Sequence, residues 1–149
     1  MTDNDKIKII ATNRKANFQY EILNRIEAGI VLKGTEVKSL RDSKVNLSDA
    51  YGKFIKDELW LVNAHISEYR FGNLNNHDPL RKRKLLLNRR ELKRLKSGLE
   101  EKGLTLIAAK IYFKNSLVKV EMAVARGKKL YDKRETVKKR ETERKLKNY

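Results

Sequence analysis

The chain has 149 residues and 40% hydrophobic content, which is enough for one domain with a buried core. Its 36 Lys and Arg against 19 Asp and Glu give a formal net charge of +17, an excess that attracts polyanions such as RNA or DNA. The absence of cysteine excludes disulfides and thiolate metal sites, and no apolar run is long enough to span a membrane. Because the N-terminus also lacks a secretory signal, we predict a cytoplasmic protein with no membrane partner.

Short stretches with the two-residue period of half-buried strands dominate the first half of the chain. Gly29 permits a bend or bulge within the first of them. Thr35 has a side chain suited to capping the short helix that follows, in which Val37 and Leu40 face inward. The pattern predicts, in order, a strand over 18–22 that continues bent through 30–32, a helix over 35–41, and a hairpin of strands over 51–55 and 59–66 that turns through 56–58.

The clearest helix follows an irregular stretch over 70–80 that is rich in Gly, Asn and Pro. Asn88 and Glu91 have the spacing of a capping box, and Gly103 is a natural C-terminal stop. One apolar stripe is formed by Leu92, Leu95 and Leu99. The other face is basic and carries Arg89, Arg90, Lys93, Arg94 and Lys96.

A second hairpin, with arms over 104–113 and 117–125, completes the body of the chain. Several short antiparallel strands with a helix packed at one side can remove their exposed edges by closing on themselves. The sequence therefore predicts a mainly β fold with short helices, arranged as a small closed antiparallel barrel.

The C-terminal segment has a much higher charge density than the body. Residues 126–149 hold 11 Lys or Arg and 4 Asp or Glu, a net charge of +7, whereas residues 1–125 hold 25 and 15, a net charge of +10. Each Glu of this segment has a Lys four positions later, a spacing that favours a helix. With almost nothing to bury, such a helix is marginal in water. We predict a basic tail that is solvated when free and helical when a polyanion orders it.

No catalytic motif is evident. The two histidines, His65 and His77, lack the convergent partners that a metal site or an acid–base pair requires. P-loop, GxSxG and HExxH motifs are missing from the sequence. One enzymatic alternative is a metal-dependent nuclease assembled from Glu27, Glu36 and Asp49, although scattered acids are usually surface or capping residues. We therefore predict a protein that is not an enzyme and that uses neither a metal nor a cofactor.

Arg81, Lys82, Arg83 and Lys84 form an unbroken basic run just before the basic helix. Such runs are most often solvated faces, but next to a basic helix in a chain of +17 this one favours a surface that tracks phosphates. Aromatic residues able to stack on bases, although core or rim packing is the commoner role of each, are Tyr20, Tyr51, Tyr69 and Phe71.

Four stretches of the sequence, in this order and spacing, match one known family. They are EAGIVLKGTEVKSLR (27–41), VNLSDAY (45–51), HDPLRKRKLLLNRREL (77–92) and ARGKKLYDKRET (125–136). Together they closely resemble small protein B, the bacterial tmRNA-binding (SsrA-binding) protein family, over nearly the whole chain.

The resemblance implies an oligonucleotide-binding-type β-barrel with flanking helices over residues 1–125 and a basic tail over 126–149. It implies binding to the tRNA-like domain of tmRNA and delivery of that RNA to stalled ribosomes in trans-translation, which tags nascent chains for degradation. The barrel would occupy the place of the missing anticodon arm, and the tail would enter the empty mRNA channel at the decoding centre. The implied form is a monomer that acts with elongation factor Tu and aminoacylated tmRNA.

Site residues carry over where the motifs match. The resemblance implies contacts with the tRNA-like domain at Tyr20, Glu27, Leu86, Asn88 and Lys119, to which the basic run adds Arg81, Arg83 and Lys84. It implies a ribosome-binding tail formed by Gly127, Lys128, Lys129, Tyr131, Asp132, Lys133 and Arg134. Two roles stay open for Glu27, which can accept from a base or ribose or can orient a nearby Arg or Lys. Asn88 can likewise contact a base or cap the helix.

Three hypotheses follow. The first is a tmRNA-binding protein of ribosome rescue. The second is a general RNA-binding or ribosome-assembly barrel that uses charge without a defined RNA. The third is the nuclease.

Overall fold

In the computed structural model, which describes residues 6–72 and 75–127, strands form most of the regular secondary structure. The described elements are β1 (Ile7–Thr12), α1 (Ala16–Gln19), β2 (Tyr20–Ile30), α2 (Gly34–Arg41), β3 (Val45–Asn46), β4 (Tyr51–Ile55), β5 (Glu58–Val62), β6 (His65–Ile66), β7 (Arg83–Leu86), α3 (Arg89–Lys102), β8 (Thr105–Lys114) and β9 (Leu117–Gly127). The predicted tail helix, with residues Lys128, Lys129, Tyr131, Asp132, Lys133 and Arg134, lies outside the described residues.

Antiparallel pairings connect six of the strands in a ring. β8 pairs with β9, β9 with β2, β2 with β7, β7 with β5, β5 with β4, and β4 with β8. β1 pairs with β8 as well, and β3 and β6 form a separate two-stranded sheet. The mainly β, antiparallel architecture with short helices that the sequence predicts is confirmed.

The main core consists of inward residues from alternate positions of these strands. Leu59, Leu61, Val120 and Met122 are all at most 1% exposed and belong to one hydrophobic cluster. The predicted leucine stripe of α3 packs against the same cluster. A smaller cluster joins Ala16 of α1 to residues on the opposite face of β8 and β9 from the main core. Burial of each large aliphatic side chain contributes about 1.5–3 kcal/mol.

α3 begins and ends where the sequence predicts. The Asn88 side-chain oxygen accepts from the Glu91 N–H at 2.8 Å, and the Asn88 amide donates to the Glu91 carboxylate at 2.7 Å. Gly103 then ends the helix in the left-handed conformation, with φ of 61°. The helix ends there because the left-handed residue turns the chain away from the helix axis, so later N–H groups no longer reach the carbonyls of the last turn.

α2 differs from the prediction at its N-terminus. The N-cap residue is Lys33, whose N–H donates to the Glu36 carboxylate at 2.8 Å. Thr35 lies within the first turn, and its hydroxyl is 2.8 Å from His77 Nδ1. The predicted Thr35 cap is therefore wrong, because another partner takes its side chain.

Three strand boundaries also differ from the prediction. β2 runs as one strand through Gly29, and its irregularity falls between Ile22 and Asn24 instead. The stretch predicted as one strand over 59–66 divides at Asn63, which has a φ of 62°. β9 continues to Gly127, beyond the predicted end at residue 125.

Candidate nucleic-acid interface

Outward-facing residues of β7, β2, β9 and β8 line up in one row across the ring. Leu86 lies opposite Gly29, Gly29 opposite Lys119, and Lys119 opposite Tyr112. Residues that pair directly in antiparallel strands share a face of the sheet. The inward neighbour Ala28 is 1% exposed, whereas Leu86 is 49% exposed, so the row faces away from the core.

Gly29 leaves a depression in this row between Leu86 and Lys119. A Cβ atom at position 29 would lie 3.3 Å from the Cβ of Leu86, which is closer than an ordinary van der Waals contact. The missing side chain therefore spares Leu86 from crowding and lets another molecule approach the backbone closely. The sequence indicated Gly29 only as a bend, and the structure gives it a place in the row.

Glu27 lies two residues before Gly29 on the same side of β2 and is held by two neighbours. The Tyr112 hydroxyl donates to one carboxylate oxygen, and Lys114 Nζ lies 3.2 Å from the other. The Tyr112 hydrogen bond, aided by Lys114 and by the charge of Lys119, holds the pKa of Glu27 below its usual value despite partial burial. Burial and the bond to Glu27 raise the pKa of Tyr112, so its hydroxyl remains a donor. Glu27 is thus an ionised, oriented hydrogen-bond acceptor. The surface around Gly29 is called the outer face, and it consists of Glu27, Leu86, Tyr112, Lys114 and Lys119.

Lys119 is the cation of the outer face best placed for an external phosphate. Within residues 6–72 and 75–127, no carboxylate lies within ion-pair distance of Lys119. By contrast, Lys84 lies 3.4 Å from Glu58. An ammonium that is not paired within these described residues can pair with phosphate without first losing a partner among them.

Of the two remaining predicted contact residues, Asn88 lies next to the outer face and Tyr20 lies far from it along β2. Asn88 follows Leu86 by two residues, at the junction of β7 and α3, and its side chain is engaged with Glu91, so the capping role is confirmed. Tyr20 begins β2, seven residues before Glu27, which is roughly 23 Å at about 3.3 Å per residue. Tyr20 pairs with Gly127 and packs on the smaller core cluster. The structure therefore brings Glu27, Leu86, Asn88 and Lys119 into one region and leaves Tyr20 at the far end of β2.

The basic run does not form one surface, and Arg83 requires a correction. Arg83 is fully buried, its Nε donates to Glu36 at 2.5 Å, and its Nη1 donates to the Ala64 carbonyl at 2.6 Å. Arg81 Nη2 donates to the second Glu36 oxygen at 2.5 Å, while about a quarter of its side chain (26%) stays exposed. Of the two residues of the run that lie in β7, Lys84 points outward and Arg83 inward, because residues of a strand alternate between faces. Arg83 is thus removed from the predicted phosphate surface.

Glu36 and His77 anchor α2 to neighbouring segments of the chain. Burial opposes the charge of Glu36, but hydrogen bonds from Arg81, the Lys33 N–H and Arg83 outweigh it and hold the pKa of Glu36 below its usual value. His77 is buried, and its Nε2 donates to the Ile66 carbonyl at 2.8 Å. In the neutral ring Nδ1 then accepts from the Thr35 hydroxyl. These contacts are structural ones.

Trp60 and its neighbours are a part of the surface that the sequence reasoning missed. In β5, Leu59 and Leu61 point inward, so Trp60 points outward. It pairs with Lys53 of β4 on one side and with Lys84 of β7 on the other. The alternation in ELWLV was a sufficient signal for its direction, but the flanking lysines come from strands that only the fold brings together.

The nuclease hypothesis gains no support from the described part of the chain. There, no three His, Asp or Glu side chains converge as metal ligands. Glu36 is occupied by two arginines, and Glu27 is held by Tyr112 and Lys114. Among the helices that the structure describes, none combines the length and apolar character needed to cross a bilayer.

A mainly antiparallel β fold whose outer face carries Lys114 and Lys119 beside the oriented Glu27, in a chain of net charge +17, defines an RNA-binding protein. The family model described as SmpB protein matches residues 10–149, and the chain belongs to this family. Relatives and a solved structure agree with that assignment.

An SsrA-binding protein of Dehalococcoides mccartyi (strain CBDB1) is 56% identical over 137 residues, covering 92% of this chain and 80% of that protein. One of Thermosipho melanesiensis is 56% identical over 144 residues, covering 96% and 98%. A chain of the solved structure "tmRNA-SmpB: a journey to the center of the bacterial ribosome" superposes with a TM-score of 0.69 at 50% identity, over 85% of this chain and 93% of that one.

Proposed function

We propose that this chain binds tmRNA (SsrA RNA) and brings it to stalled ribosomes in trans-translation, so that their nascent chains are tagged for degradation. The observation that carries this proposal is the convergence of Glu27, Leu86, Asn88 and Lys119 on adjoining elements around Gly29. These are four of the five residues that the family resemblance implies as contacts with the tRNA-like domain.

The chemistry of the outer face suits a folded RNA. Lys119 supplies a cation for a phosphate, and the depression at Gly29 admits a ribose or backbone segment. The ionised Glu27 accepts a hydrogen bond from a base amino group or a ribose 2′-hydroxyl. Leu86 covers an apolar surface of the bound RNA. Lys84 and Trp60 extend this contact toward β4 with a further cation and an aromatic ring.

In this proposal the ring of strands is an oligonucleotide-binding-type barrel that takes the place of the anticodon arm missing from tmRNA. It acts as a cytoplasmic monomer together with elongation factor Tu and aminoacylated tmRNA. The bound RNA leaves the tail free to reach the ribosome.

The tail, residues 126–149, supplies the ribosome contact. Gly127, counted with the tail by the family motif, is the last residue of β9 and lies opposite Tyr20. Lys128, Lys129, Lys133 and Arg134 provide cations for ribosomal RNA in the empty mRNA channel, and Asp132 begins the helix that forms there. Tyr131 stacks on a base of the decoding centre.

Affinity in rising salt tests the RNA partner. The full chain should keep a preference for tmRNA over bulk tRNA as phosphate contacts weaken, because a specific complex retains base and shape contacts. Lys119→Ala should lower tmRNA affinity, whereas Lys102→Ala at the far end of α3 serves as a matched control of equal charge change. Equal affinity for both RNAs at all salt concentrations contradicts the proposal and favours the general RNA-binding barrel.

A second experiment tests the division between body and tail. A chain that ends after Gly127 keeps every strand of the ring, so it should bind tmRNA nearly as well as the full chain and fail to support peptide tagging. Tyr131→Ala in the full chain should impair tagging more than tmRNA binding. Failure of the shortened chain to bind tmRNA contradicts this division.

A further inference from the structure

The loop after β6 presents aromatic rings beside α2. Tyr69 and Phe71 make an edge-to-face pair with ring centroids 5.6 Å apart at an interplanar angle of 71°. Phe71 is 67% exposed and belongs to neither hydrophobic cluster of the described residues. Its ring therefore contributes little to the core and is accessible to another molecule.

Hydrogen bonds hold this loop in place. The Asn76 side chain accepts from the Tyr69 N–H at 3.1 Å and donates to the Tyr69 carbonyl at 2.7 Å, and the Gly72 N–H donates to the same carbonyl at 2.8 Å. A Cβ atom at Gly72 would lie 2.6 Å from Asn76 Nδ2, so a glycine is required for this clasp. His77, which follows Asn76, is buried between α2 and Ile66. The loop that carries the aromatic pair is thus held in a defined conformation by its own hydrogen bonds.

Cations surround the two rings. The Arg70 guanidinium carbon lies 4.6 Å from the centroid of Phe71, and Lys38 Nζ lies 5.5 Å from the centroid of Tyr69. Lys44 and Arg70 line the adjoining cavity together with Asp42 and Glu68. An exposed ring with cations against it offers a nucleotide a stacking surface for its base and positive charge for its phosphate.

The loop is connected to the outer face through α2 and β2. β2 leads from Glu27 to α2 within a few residues, and α2 carries Lys38 beside Tyr69. The Ser39 hydroxyl of the same helix donates to the Ser67 carbonyl at 2.7 Å, which ties the loop to α2. A folded RNA that spans both elements can therefore contact the outer face and this loop together.

We propose that the Tyr69–Phe71 loop is a second contact with tmRNA, in which Phe71 stacks on an unpaired base and Lys38 and Arg70 lie near its phosphates. This inference rests on the proposed function and extends it. The occupant is an RNA base, because the presented group is an aromatic ring and the three cations Lys38, Lys44 and Arg70 outnumber the two acids Asp42 and Glu68 beside it.

Two substitutions of Phe71 in the full chain separate stacking from apolar contact. Phe71→Leu keeps an apolar side chain and removes the ring, and it should weaken tmRNA binding about 5- to 150-fold, the range for loss of one base–aromatic stack. Phe71→Trp keeps a ring and should bind within a few-fold of wild type. Because the residue is exposed, both variants should unfold in urea at the wild-type midpoint.

Binding is measured in two arms, one with tmRNA alone and one with ribosomes alone. Wild-type affinity of Phe71→Leu for tmRNA overturns the inference, and so does equal loss in the Leu and Trp variants. A ring-dependent loss seen only with ribosomes also overturns it, since the stacked base would then be ribosomal. If wild type itself shows no preference for tmRNA over tRNA, the proposed function fails instead, and the two failures are thereby distinguished.

Discussion

Arg83 and Lys84 are neighbours in β7 that point to opposite faces, and substituting each by Met separates folding from RNA binding. Arg83 is fully buried, and its guanidinium bonds Glu36 and the Ala64 carbonyl. Lys84 is 41% exposed and pairs only loosely with Glu58, at 3.4 Å. Identical substitutions at adjacent positions thus remove one interior cation and one surface cation.

The structure sets the size of each effect. Arg83→Met leaves Glu36 buried with Arg81 and the Lys33 N–H as its remaining donors, and loss of one partner of a buried ion pair costs about 3–5 kcal/mol. Lys84→Met breaks an exposed pair worth about 0–1 kcal/mol. If Lys84 contacts one phosphate, its loss should reduce the slope of log affinity against log salt by about 0.7–0.9.

Two measurements on each variant check this prediction. Urea unfolding followed by far-ultraviolet circular dichroism should show a large loss of stability for Arg83→Met and little for Lys84→Met. tmRNA titrations at several salt concentrations should show a reduced slope for Lys84→Met alone. The reasoning is refuted if Lys84→Met is the more destabilising change, or if folded Arg83→Met binds tmRNA more weakly than Lys84→Met does.

Three further predictions concern α3, α2 and the outer face. Asn88→Ala should destabilise the protein by about 1 kcal/mol, because the Glu91 N–H loses its acceptor. Asn88→Asp keeps that acceptor but loses the amide bond to the Glu91 carboxylate, so it should destabilise less than Asn88→Ala while also lowering tmRNA affinity. Equal destabilisation by both changes would count against this separation. The pKa of Glu36 is lower when folded than when unfolded, so its stabilisation is full above the unfolded value near 4.5 and is lost as pH falls through the folded value. Urea unfolding at decreasing pH should therefore show a flatter acid limb for Glu36→Gln, and an unchanged limb would contradict the role of this carboxylate. Gly29→Ala places a Cβ atom 3.3 Å from that of Leu86 and fills the depression, so tmRNA affinity should fall. Stability should change little, since a backbone-entropy gain of about 0.4–1 kcal/mol offsets the crowding. Unaltered affinity would mean that the bound RNA does not use the depression.

Local patterns predicted α3 well. The Asn88 cap, the leucine stripe and the Gly103 stop are all short-range features, and the structure contains each of them. The strand order and the pairing of Leu86, Gly29 and Lys119 depend on three strands that are far apart in sequence. Period-two patterns give the face of each residue but not its cross-strand neighbour.

The buried Arg83 shows why composition misled the interpretation of the basic run. A run of four cations is typical of a solvated surface, and it contains no apolar residue that would show which positions face the core. The partner that makes burial of Arg83 tolerable is Glu36, 47 residues earlier on α2. Likewise, the family resemblance named Glu27 as a site residue, but its orientation by Tyr112 and Lys114 required the fold.

The RNA that co-purifies with the intact protein at moderate salt tests the central claim most directly. Sequencing of that RNA should show tmRNA strongly enriched over bulk tRNA, and Lys119→Ala should reduce the enrichment by weakening the outer face. Recovery of tmRNA and tRNA in proportion to their cellular abundance, from wild type and variant alike, would contradict a specific tmRNA-binding face around Gly29.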